Sequence, residues 1–86
     1  MTLNELKQKV SAEYDRRNLK SRVRYNALDK VIAFLGKEYP NATTDVNSAL
    51  PKDKSKVKAA YIEYKGNEIN GAESSVINEI YNQLNN

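Results

Sequence analysis

Eighty-six residues carry 14 Lys and Arg against 11 Asp and Glu, for a formal charge of +3, and include no histidine, cysteine or tryptophan. A chain of this length reads as one domain, residues 1–86, and buries only about 60% of its unfolded surface. Without cysteine it has neither a disulfide nor a thiolate zinc site, so a well-packed core or a partner, a second copy included, has to supply its stability.

The first helix is signalled by Thr2 followed by Glu5, the spacing of a capping box. Leu3, Leu6, Val10 and Tyr14 then recur at steps of three and four and form one helical stripe. The expected helix runs from about residue 3 to at least Arg17. Asn18 can close it and Ser21 can cap a second. No glycine or proline forces that break before Gly36. An unbroken helix from Leu3 to Phe34 would measure about 48 Å, beyond the usual globular length, so two helices are expected. In the second, Leu28, Val31, Ile32 and Leu35 make a tight apolar face, extended by Ala27 and Phe34. Gly36 starts its termination and Pro40 completes it.

Residues 41–50 are turn-rich, with room for a helical turn over Asp45–Leu50. Leu50-Pro51 reads as the entry to another helix, with Pro51 at its first position. Val57, Ala60, Tyr61 and Tyr64 fit its period, and Gly66 fits its C-terminal cap. The alternative is a β-hairpin over residues 60–69, turning at Gly66-Asn67. Asn70 and Glu73 have cap-and-N3 spacing before a last helix, whose face holds Val76, Ile77, Ile80, Tyr81 and Leu84. The fold class is therefore all-α, a small bundle of three to four helices, with α+β as the alternative if the hairpin forms.

Charge is unevenly spread: +4 over residues 1–40, +2 over 41–65 and −3 over 66–86. All four arginines fall between Arg16 and Arg24. Arginine presents a planar fork of donors that suits phosphate and carboxylate oxygens. On one continuous helix, Lys20, Arg24 and Arg17 would lie about 40°, 80° and 100° from Arg16, a stripe able to follow a phosphate backbone. Tyr14 and Tyr25 flank it and could stack on exposed bases. Lys54, Lys56 and Lys58 make a second basic segment, diluted by Asp53. Against this, charged residues cover the outside of any bundle, and Glu13 and Asp15 stand at pairing distance from Arg16 and Arg17. No zinc-finger, RNP-type or KH-type signature supports nucleic-acid binding.

The inventory disfavours catalysis, since the commonest general base and the most reactive nucleophile are both missing. No spacing resembles a calcium loop or a phosphate cradle, so no metal or cofactor is expected. Tyr61, Tyr64 and Tyr81 read as core-edge packing, or else as anchors for a protein partner. The expected function is a small non-enzymatic binding or regulatory protein that contacts nucleic-acid phosphates through Arg16, Arg17, Lys20 and Arg24. The alternative is a protein-interaction module, such as an inhibitor, immunity or assembly factor, that uses tyrosine and apolar contacts. The lysine- and asparagine-rich composition is of a kind frequent in phage and plasmid genomes. Glu5 interrupts any secretory core, and Val31–Leu35, the longest apolar run, is far short of a membrane span. The expected location is the cytoplasm, without membrane contact.

Overall fold

The computed structural model describes residues 2–16 and 22–84, and among them there are helices and turns but no strand. Helices α1 (Leu3–Arg16) and α2 (Arg22–Glu38) are followed by a 3-10 turn (Pro40–Thr43) and a short α3 (Val46–Ala49). Helices α4 (Lys54–Lys65) and α5 (Gly71–Leu84) complete the bundle. No described helix is long and apolar enough to cross a membrane.

The expected break between α1 and α2 is real. Lys7 Nζ lies 3.3 Å from Asp29 Oδ1, and the Tyr14 and Tyr25 rings meet edge to face at 5.8 Å. On one continuous helix Lys7 and Asp29 would stand about 33 Å apart. The pairings run antiparallel, so α2 folds back along α1. The proposed caps at Asn18 and Ser21 lie outside the described residues. At the start of α1, the Glu5 N–H donates to Thr2 Oγ1 at 3.1 Å, as the capping spacing requires.

Two boundaries differ from the sequence reading, and the alternative offered for residues 60–69 is excluded. Gly36 does not begin the end of α2, which continues to Glu38; Pro40, which lacks a donor and restricts Tyr39, ends it. Pro51 does not open α4. Asp53 caps that helix by accepting the Ser55 N–H at 2.8 Å, a bond that no proline side chain can make. The hairpin over 60–69 does not form. Residues 60–65 are helical, and Gly66, at φ 79°, closes α4 by donating its N–H to the Ile62 carbonyl at 2.8 Å. Val57 and Tyr61, one turn apart, thereby reach the core together.

Helix α5 packs against α1, α2 and α4. Its Val76, Ile77 and Ile80 meet Leu28, Val31 and Leu35 of α2, and Leu6 and Val10 of α1, in one apolar cluster. Ala42, Val46 and Leu50 of the 3-10 turn and α3 seal one side of it. Asp45 holds α3 in place: its carboxylate accepts the Asn47 and Ser48 N–H groups and the Ser48 hydroxyl.

Candidate functional site

The arginine cluster is divided between two helices. Arg16 ends α1 and Arg24 lies in the first turn of α2, so they do not share one helical line. Arg17 and Lys20 lie outside the described residues. Arg16 pairs with Glu13 through two hydrogen bonds, at 2.6 and 3.2 Å. That exposed contact raises its pKa further. Arg24 is half-buried, and its charge acts on the Tyr14 phenol. Beside it, Tyr25 donates to Asp15, and Tyr14 donates to Glu79 at 2.5 Å. Both tyrosines suggested as base-stacking platforms therefore have partners inside the protein. Lys54 and Lys56 are exposed in the first turns of α4, and Lys58 is half-buried.

A different face combines aromatic surface with recesses. Tyr64, expected to pack at the core edge, is 53% exposed. It lies in the last turn of α4, and its ring packs against Phe34 at 5.3 Å and Tyr61 at 6.2 Å. Phe34 in turn meets Tyr61 at 5.1 Å and Tyr39 at 6.5 Å, edge to face. Lys37 Nζ sits 5.3 Å from the Tyr64 ring centroid, in cation–π range. These contacts fix the ring while leaving its outer face in water.

Three hollows border α2 or α4, two of them lined by Tyr64. One, of about 290 Å³, is lined by Lys30 and Ala33 of α2 and by Tyr61, Tyr64 and Lys65 of α4. Another, of about 310 Å³, is lined by Glu38, Ala60, Glu63 and Tyr64. A third, of about 150 Å³, is lined by Val23, Asn26, Ala27 and Lys30 of α2 and by Asn70 and Glu73 at the start of α5. Lys30 borders the first and the third. On α2, residues 23, 26, 30, 33 and 37 follow the helical repeat and are all exposed.

Glu73 is the buried charge of this face, 1% exposed. Asn70 caps α5 by accepting the Glu73 N–H at 2.8 Å, as the cap-and-N3 spacing predicts. The Glu73 carboxylate is turned instead toward Lys65, whose Nζ donates to Oε1 at 2.6 Å. Burial opposes its ionisation. Lys65, the Tyr61 hydroxyl and the Asn70 backbone N–H outweigh that and hold its pKa below the ordinary range. The Tyr61 hydroxyl lies close enough to the carboxylate to favour its ionised form. Glu73 Oε2 itself accepts no close hydrogen bond among the described residues.

Lys30 and Lys37 have no ion-pair partner among the described residues. No group of three or more Asp or Glu side chains there is arranged to hold a metal ion. The sequence signal for this face was present but ambiguous: Tyr64 fits the apolar period of α4, and only packing shows that neighbouring helices do not cover it. No family model matches this chain, and no curated protein or solved structure is significantly similar to it.

Proposed function

We propose that this chain is a small non-enzymatic protein-binding module. Its partner would seat an apolar side chain in the hollow beside Tyr64 and place a carboxylate against Lys30 or Lys37. The observation that carries this reading is Tyr64, held by Phe34 and Tyr61 yet 53% exposed between two recesses. A ring fixed in advance loses little conformational freedom on binding, which is one reason tyrosine concentrates at binding hot spots. Lys30 and Lys37 of α2, without an ion-pair partner among the described residues, complement an acidic partner and would speed its approach.

The same face suits nucleic acid less well. Glu38 and Glu63 line one of the hollows beside Tyr64, and their charges repel a phosphate backbone. Of the arginines suggested for phosphate contact, Arg16 is engaged by Glu13.

A photo-crosslinking residue in place of Ala33 would capture the partner from host extract, and the purified partner would then be titrated. Tyr64→Ala should weaken binding at least tenfold, while Lys54→Ala on the first turn of α4 should change it less than twofold. Equal affinity of the Tyr64→Ala variant would overturn the reading. So would tight, salt-dependent binding to short oligonucleotides that is lost in Arg24→Ala.

A further inference from the structure

Opposite charges are sorted between the two hollows that share Tyr64. The hollow of about 290 Å³ is bordered by the cations Lys30 and Lys65, and the hollow of about 310 Å³ by the anions Glu38 and Glu63. On α2 the first is lined at residues 30 and 33 and the second at residue 38, which is about 8–12 Å further along the helix axis. Lys65 is already paired with Glu73. Lys30, Glu38 and Glu63 are exposed, and none has an ion-pair partner among the described residues. Each hollow also holds an alanine, Ala33 in one and Ala60 in the other, which leaves room beside the Tyr64 ring.

This arrangement narrows the choice of partner. A surface with a single sign of charge would be drawn to one hollow and repelled at the other. A matching surface has to present an exposed ring with a carboxylate region and an ammonium region beside it. This chain presents that surface itself. If a two-fold axis passes beside Tyr64, the basic hollow of each copy faces the acidic hollow of the other, and the contact is self-complementary. Tyrosine rings pair favourably in offset or edge-to-face geometry. A short chain without disulfides also gains stability from a second copy.

We infer that the Tyr64 face binds a second copy of this chain in a two-fold dimer. The Tyr64 ring of each copy seats in the Lys30–Ala33 hollow of the other, and Glu38 and Glu63 of each copy stand against Lys30 of the other. Lys37, whose Nζ lies 5.3 Å from the Tyr64 ring centroid, adds a second cation for the same carboxylates. The inference rests on the docking reading above and names its partner: the carboxylates that reading asks for are Glu38 and Glu63 of the second copy.

Sedimentation equilibrium of the whole chain, from micromolar to millimolar concentration and at low and high salt, tests it. The chain should pass from monomer to dimer and no further, because a two-fold contact closes on itself. Added salt should weaken the dimer. Tyr64→Ala should weaken it at least tenfold. Lys30→Glu and Glu63→Lys each set like charges across the contact, and each should weaken it at least tenfold. Both positions are exposed, so thermal unfolding of the monomer should be unchanged. Combined in one chain, Lys30→Glu and Glu63→Lys restore opposite charges at both symmetric contacts, and should return dimerisation to within threefold of the original. A chain that stays monomeric at millimolar concentration would overturn the inference. So would a dimer that Tyr64→Ala leaves intact, or a combined variant no tighter than the single ones. The docking reading fails separately: a different protein captured from Ala33 and bound equally well by Tyr64→Ala would sink that reading, whereas one that needs Tyr64, found with a monomeric chain, would sustain it and sink the dimer.

Discussion

The Tyr14 hydroxyl of α1 donates a 2.5 Å hydrogen bond to Glu79 Oε2 of α5, joining residues 65 positions apart. The Tyr14 ring is buried, and Tyr25 meets it edge to face. One phenol therefore ties three helices together. Tyr14→Phe keeps the ring and removes the bond. It should cost about 1–2 kcal/mol in urea denaturation, since the acceptor is charged but partly solvated. Tyr14→Ala should cost about 3–5 kcal/mol, because it also empties core volume.

Alkaline pH should destabilise the fold through its buried phenols. Burial first, and then Glu79, push the Tyr14 pKa above its ordinary range; burial and then Glu73 do the same for Tyr61. Burial, with smaller effects from Tyr39 and Asp53, pushes Tyr81 up to about 12. The unfolded chain thus loses these protons first, near about pH 10. Stability should be full below that pH and fall as pH rises through the folded pKa values, by up to about 1.4 kcal/mol per pH unit for each phenol. Tyr81→Phe, which also loses the 2.9 Å bond to the Pro51 carbonyl, should make the decline shallower. An identical slope would show that Tyr81 titrates normally.

On the acid side the sign reverses. Glu73 has a lowered pKa in the folded state, so its contribution is present above the unfolded value of about 4.3 and is lost as pH falls through the folded one. Lys65→Met leaves the buried carboxylate without its ammonium. At neutral pH that should cost about 3 kcal/mol. The acid-induced loss should also become shallower, because less ion-pair energy remains to be lost. Guanidinium denaturation at neutral and at acid pH checks both.

Two glycines of α2 and α4 should respond oppositely to alanine. Gly66 has φ 79°, and an added Cβ there would meet no other atom within 4 Å. Gly66→Ala should therefore cost about 1–2 kcal/mol from backbone strain alone. Gly36 lies within α2 and also has open space around it. Gly36→Ala should stabilise by about 0.5–1 kcal/mol. Thermal unfolding of both variants gives the comparison.

Core truncations should rank by burial. Ile80 on α5 is fully enclosed, whereas Ile32 on α2 keeps 8% of its surface. Ile80→Ala should cost about 4–5 kcal/mol and Ile32→Ala about 2–3 kcal/mol in the same denaturation assay. The reverse order would place the centre of the core on the wrong helix.

The sequence by itself determined the helical class and most of its faces. Leu3, Leu6, Val10 and Tyr14 are all buried on α1, as their spacing requires, and so are Leu28, Val31, Ile32 and Leu35 on α2. Helical period and local caps are short-range properties, and Thr2, Gly66 and Asn70 each act within four residues of chain. Tertiary structure decided what those faces meet. Tyr61 and Tyr64 both fit the period of α4, yet Tyr61 is enclosed and Tyr64 is half in water. Glu73 could be recognised as an N3 residue, but not as a buried carboxylate reaching back eight residues to Lys65. The arginine cluster is compact along the chain, yet the reversal between α1 and α2 puts Arg16 and Arg24 on separate helices. Periodicity specifies the direction of a side chain from its own helix axis; whether another helix stands in that direction depends on how distant segments pack.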